Sequence, residues 1–217
     1  MLTQTKHLNT TDQPAEGRSG NLSGATCVPG QLERAAARPS GPGTASSKQC
    51  SMAGLNALNR EDFLRVIGPV FEHSPWIAEL TSAKRPFESV GALHRALCAT
   101  VLASDESKKL ALIRAHPDLA GRAAQAGSLT TASAREQASG GLDQLSAEEA
   151  ALFDRYNREY GERFGFPFVI CARQNKKKAM LAGFERRLKH SPQQEIETAL
   201  AEIFKIAELR LCDLIAS

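Results

Sequence analysis

Two short stretches place acid–base chemistry at helix boundaries. Ala115-His116-Pro117-Asp118-Leu119-Ala120-Gly121 sets an imidazole beside a proline, and Ser133-Ala134-Arg135-Glu136-Gln137 sets a carboxylate near a hydroxyl and an amide. Pro117 has no backbone donor and biases His116 away from helical angles, so the sequence predicts a helix that breaks at His116 and leaves the ring facing a cleft. The ordinary imidazole pKa of about 6.5 suits proton transfer near neutrality. Ser133 with Glu136 reads as a capping box, the hydroxyl and the carboxylate each satisfying a free amide at a helix start. Glu136 could also accept from the N–H groups of a ligand, and both roles can hold at once. Taken singly, each stretch also has a plain reading, a loop histidine and a cap.

Two further features could serve the same chemistry. Arg210 lies between Leu209 and Leu211 on the last predicted helix, at the edge of a core face marked by Ile203, Ala207, Leu211 and Leu214. An arginine beside a core needs an anionic partner, because its charge cannot be removed by deprotonation. A ligand carboxylate held bidentately would be one such partner; a surface arginine on the polar side is the alternative. Phe166-Pro167-Phe168-Val169-Ile170 is apolar and reads as extended, so its backbone groups are not satisfied by helix bonding and a polar ligand could meet them. A buried apolar connector is the alternative there.

The elements that must position these residues are helical. Asn59 caps a helix carrying Phe63, Val66, Ile67, Val70 and Phe71 at 3.6-residue spacing. Ser74-Pro75 opens a short helix with Trp76, Ile77 and Leu80. Ser89 to Ala103 forms the next, and Ser104 is expected to cap the helix that runs into His116. Gly127 to Thr131 reads as a loop. Ser133 starts a helix that ends near Gly140-Gly141, and Ser146 with Glu149 opens another, with Leu152, Phe153, Tyr156 and Tyr160. Asn175 to about His190 and Ser191-Pro192 onward supply the last two. Helix after helix with short connections predicts an all-α, compact multi-helix bundle, with one short extended segment at about 165–172.

Composition narrows the class. At 217 residues and 42% hydrophobic the chain can bury a core as one domain. Residues 1–54 are rich in Gly, Ser, Thr, Pro and Ala and are expected to be a disordered N-terminal extension to a domain at 55–217. A net charge of +3, with basic and acidic residues interspersed, argues against a nucleic-acid partner. Five scattered cysteines, with no Cys-x-x-Cys pair, argue against a disulfide framework or a structural zinc, and no His-x-x-x-His or Glu-x-x-His pair supports a catalytic metal. There is no apolar run of about 18 residues for a membrane span, no secretory h-region and no Ser-Lys-Leu ending, so a cytoplasmic protein is expected. Lys176-Lys177-Lys178 reads as a solvated helix start, and Cys171 as a small buried thiol.

The His116 and Ser133–Gln137 blocks, Phe164-Gly165-Phe166-Pro167-Phe168-Val169-Ile170-Cys171-Ala172-Arg173, and Glu202 to Leu211 closely resemble, in this order and spacing, the OHCU decarboxylases. The resemblance runs from about Leu55 to Leu214. It implies a carboxy-lyase that acts without a cofactor on 2-oxo-4-hydroxy-4-carboxy-5-ureidoimidazoline (OHCU) to give (S)-allantoin in purine catabolism. His116 would be the catalytic acid–base group. Pro117, Ser133, Glu136, Arg210 and the main chain at Phe168 and Ile170 would contact substrate, with Gln137 a second candidate beside Glu136. A homodimer is implied, fed by a separate 5-hydroxyisourate hydrolase. The alternatives are a lyase of the same fold acting on another ureido or hydroxy-acid substrate, and a non-catalytic helical interaction module.

Overall fold

The structure, a computed structural model, describes residues 49–216. Of the extension predicted over residues 1–54, residues 1–48 lie outside the described residues, while Met52 to Gly54 are ordered as the start of a helix that Ser51 caps and Leu55 anchors in the core. The described chain begins with a parallel bridge between Cys50 and Ile215, and helix α1 (Met52–Ala57) follows at once, capped by Ser51.

Ten α-helices follow one another among the described residues: α1, α2 (Arg60–Ile67), α3 (Trp76–Thr81), α4 (Val90–Leu102), α5 (Glu106–Arg114), α6 (Arg122–Gln125), α7 (Thr131–Ser139), α8 (Ala147–Phe164), α9 (Lys177–Arg187) and α10 (Pro192–Leu214). The bundle is all-α, as the periodicity predicts. Most starts are set locally: Asn59, Ser89, Ser146 and Ser191 each accept a bond from an amide three residues on, and Ser146 with Glu149 completes a capping box. The 23-residue α10 is the axis. Its buried stripe, including Ile196, Ala199, Leu200, Ile203, Ala207 and Leu211, packs on α4 and α5.

Several local expectations are corrected. Asp105, not Ser104, caps α5, its carboxylate accepting from the Lys108 amide at 2.8 Å; the Ser104 hydroxyl instead donates to the Val101 carbonyl at the end of α4. Thr130, not Ser133, caps α7, and the amide it satisfies is that of Ser133 itself. The Ser133–Glu136 capping box therefore does not form, and both side chains sit inside the helix one turn apart, free for other partners. Leu80 is 56% exposed and takes no part in the core. Helix α9 is shorter than predicted, because a 3-10 turn at Ala172–Gln174 and a bond from the Asn175 amide side chain to the Cys171 carbonyl occupy its expected start.

Gly165 makes the turn that matters for the cleft. It ends α8 at φ 73°, in the left-handed region, and sends the chain into the extended stretch 166–171. That stretch pairs with no other strand. Side chains meet some of its backbone groups and the Gly165 carbonyl before it: Arg114 Nε donates to the Gly165 carbonyl at 3.0 Å, Arg187 Nη1 to the Val169 carbonyl at 2.7 Å, and the Cys171 amide to Glu202 Oε2 at 2.8 Å.

The two glycines at the end of α8 predict opposite signs. Gly165→Ala should destabilise by about 1 kcal/mol, since alanine resists positive φ. Gly161 is helical and a Cβ there meets nothing within 4 Å, so Gly161→Ala should stabilise by about 1 kcal/mol. Thermal melts of the two variants check this; equal shifts would refute the assigned turn.

Candidate active site

The fold brings all eight residues singled out in the sequence to one cleft. His116, Pro117, Ser133, Glu136, Gln137, Phe168, Ile170 and Arg210 line it together with Leu119, Val169, Ala172 and Ile206.

His116 sits just past the end of α5, where Pro117 stops the helix, and it is buried. Its Nδ1 lies 2.9 Å from the Leu112 carbonyl one turn back. A carbonyl oxygen can only accept, so Nδ1 carries the hydrogen and Nε2, on the far side of the ring, keeps its lone pair. Burial depresses the imidazole pKa to about 4, although the Leu112 carbonyl and the nearby Glu72 charge work the other way. His116 is therefore neutral at pH 7, and a neutral imidazole with a free lone pair is a base before it is an acid.

Arg210 projects from the inner face of α10 and is 7% exposed. Its anionic partners come from the protein. Nε and Nη2 grip the two oxygens of Glu136 at 2.7 Å each, a bidentate fork. Nη1 reaches Glu72 Oε2 at 3.0 Å and the Val70 carbonyl at 3.3 Å, and Nη2 also reaches Ser133 Oγ at 3.4 Å. Burial works against the guanidinium charge, and the two carboxylates outweigh it, so the Arg210 pKa lies above its ordinary value.

Glu72 is the residue that sequence reasoning missed. It follows the buried Val70-Phe71 pair and accepts from the Thr130 and Ser133 hydroxyls at 2.9 and 3.2 Å as well as from Arg210. Burial tends to raise its pKa, but the Arg210 charge and the Thr130 hydroxyl prevail and hold it below the usual carboxylate range. The one signal available was a carboxylate placed directly after an apolar helix face and before Ser-Pro. Two carboxylates against one guanidinium leave the cluster with one net negative charge beside a neutral His116.

Gln137 uses its amide to clamp the loop after Pro117: Oε1 accepts from the Ala120 amide at 2.9 Å and Nε2 donates to the Asp118 carbonyl at 3.2 Å. Ala120 has φ 52°, strained for a residue with a Cβ, and this bond holds it there. The Phe168 ring stacks on Phe184, with centroids 3.8 Å apart. The Phe168 and Ile170 amide N–H groups meet no acceptor among the described residues. Cys171 is buried, and burial raises its thiol pKa, which suits a packing group and not a nucleophile. No group of metal-ligating side chains is gathered among the described residues, and no helix among them is long and apolar enough to cross a membrane.

The described residues thus form a helical bundle with a histidine and a glutamate–arginine fork lining one cleft. Residues 56–212 match the family model described as OHCU decarboxylase, and the chain belongs to that family. It is 42% identical over 169 residues to a 2-oxo-4-hydroxy-4-carboxy-5-ureidoimidazoline decarboxylase of Haloferax volcanii, covering 78% of this chain and 98% of that one. It is 40% identical to the protein of the same description from Amia calva, over 76% of this chain and 94% of that one. Among solved structures it is similar to an (S)-allantoin synthase, with a TM-score of 0.62 and 28% identity over 77% of this chain and 54% of that chain.

The His116 environment fixes the sign of a pH dependence. An imidazole of ordinary pKa in the unfolded chain and of about 4 in the fold leaves the folded protein with fewer bound protons between those values. Its share of stability is therefore lost as pH falls through that window. Between pH 7 and 4, wild type should lose on the order of 3 kcal/mol more stability than His116→Gln in urea unfolding. Equal losses would mean that His116 titrates normally.

Proposed function

We propose that this protein decarboxylates 2-oxo-4-hydroxy-4-carboxy-5-ureidoimidazoline to (S)-allantoin in urate degradation, with His116 as its acid–base group. The observation that carries the reading is the neutral His116, its Nε2 lone pair free, in the same cleft as the Glu136–Arg210 fork. Family membership and the names of the relatives support the same substrate.

The substrate's own bonds accommodate the reaction. Breaking the bond from C4 to its carboxylate releases neutral CO2, and the electron pair forms a C4=C5 double bond as the ring imine's π pair moves to nitrogen, which takes a proton from solvent. His116 Nε2 removes the proton of the C4 hydroxyl, the carbonyl forms at C4, and the imidazolium returns that proton to C5 on the face it covers. Glu72 supplies the counter-charge while His116 is protonated.

Binding roles follow from the contacts. Glu136, held rigid by Arg210, has lone pairs left for the N–H groups of the ring or ureido arm. The Phe168 and Ile170 amides donate to substrate oxygens. The two longest Arg210 bonds, to Val70 and Ser133, are those most easily exchanged for the substrate carboxylate. Ser133 and Pro117 complete the wall, and Gln137 acts through the loop it clamps.

Circular dichroism of allantoin, with OHCU generated in place from urate by the two preceding enzymes, tests the reading. Wild type should give the (S) signal well ahead of the spontaneous reaction, and His116→Ala should be slower by about 10²- to 10⁴-fold. A His116→Ala protein as fast as wild type would overturn the role; a wild type no faster than background would overturn the substrate.

A further inference from the structure

Behind the extended stretch lies a second buried ion pair, neither of whose residues lines the cleft itself. Arg187, the last residue of α9, is 1% exposed, and Glu195, in the first turn of α10, is 0% exposed. Arg187 Nε donates to Glu195 Oε1 at 2.8 Å, with Nη2 on the same oxygen. The Tyr160 hydroxyl also donates to that oxygen, and His190 Nδ1 lies 2.8 Å from Oε2. The remaining arm, Nη1, leaves this cluster and donates to the Val169 carbonyl at 2.7 Å, while the guanidinium lies 4.3 Å from the centre of the Phe168 ring.

That one bond has a geometric consequence. The single cis peptide among the described residues is Arg85-Pro86, so the bond between Val169 and Ile170 is trans, and its C=O and N–H point in opposite directions. A Val169 carbonyl fixed on Arg187 sends the Ile170 N–H the other way, off the side that faces α9. Val169 and Ile170 also line the cleft of His116 and Arg210, and the Ile170 N–H has no acceptor among the described residues. The next peptide is pinned by the Cys171 amide on Glu202. The main chain through Ile170 is thus held on both sides by charged anchors, and the peptide between them cannot rotate freely.

We propose that Arg187 is a positioning residue for the reaction, aiming the Ile170 N–H at the substrate through its bond to the Val169 carbonyl. This rests on the function proposed above. Stability alone gives weak reason for the ion pair, because apolar residues of similar volume commonly replace such pairs without loss. The arm to Val169 is what an apolar replacement could not reproduce.

The double variant Arg187→Met/Glu195→Met removes both charges together and leaves neither buried unpaired. It should fold, with a melting temperature near that of wild type, yet lose about 10-fold or more in kcat/KM on OHCU. In ¹H–¹⁵N spectra, the Ile170 amide of wild type should shift on addition of (S)-allantoin and that of the double variant should not, a difference that loss of packing would not confine to one amide. Arg187→Lys is the second variant: it keeps the charge beside Glu195 but lacks the planar fork that presents one arm to Glu195 and another to Val169, so the same loss is expected. A folded variant of either kind with wild-type kcat/KM and a wild-type Ile170 response would overturn the role of Arg187 while the decarboxylase reading stood. Wild type inactive on OHCU would overturn both.

Discussion

A guanidinium buried on the inner face of the last helix must be neutralised where it stands, and the way Arg210 is neutralised decides where several other segments lie. Its five N–H donors reach Glu136 and Ser133 on α7, Glu72 after α2, and the Val70 carbonyl in the turn before it. Leaving any of these donors without an acceptor in the interior would cost more than the bond itself contributes, so the arrangement is tightly specified. Thr130 belongs to the same network twice over: its hydroxyl caps α7 and donates to Glu72. The cap that starts α7 and the carboxylate that holds Arg210 are thus joined through one side chain.

The electrostatics follow from that network. His116 stays neutral because burial withholds water from its charged form, and Glu72 is close enough to favour the proton when one arrives. A base that can be charged transiently, next to a carboxylate already fixed by an arginine, needs little rearrangement during a proton transfer.

The same rule, that buried charge must be partnered, also shapes the far wall. Arg187 and Glu195 anchor the stretch that Gly165 launches, and Phe168 is held between Phe184 and the Arg187 guanidinium. The cleft is therefore framed by two buried arginines, one contacting its lining side chains and one gripping its backbone from behind.

Helix identity and most helix starts were legible in the sequence, because capping and amphipathic periodicity are settled within about four residues. Asn59, Ser89, Ser146 and Ser191 cap where their spacing indicates. Where two capping residues compete, local pattern does not choose: Asp105 displaced Ser104, and Thr130 displaced Ser133. Of the eight residues that meet in the cleft, His116, Glu136 and Arg210 were legible from Pro117 beside the imidazole, a carboxylate near a helix start and a charge at the edge of an apolar stripe, and Phe168 and Ile170 from their extended apolar run. Pro117, Ser133 and Gln137 were named as contacts by resemblance alone. The convergence of all eight was read by resemblance to a family, not by spacing. Glu72, and the Arg187–Glu195 pair, were not legible. Arg187 follows Met180 and Phe184 at i+7 and i+3 and so lies on a core stripe, yet nothing local says which anion it meets. Arg210 bonds Glu136 across 74 positions of the chain and Glu72 across 138. The sequence by itself determined the helices and the residues able to do chemistry. The tertiary structure alone decided which carboxylate neutralises which arginine, because a charge removed from water is partnered by whatever the packing brings within reach.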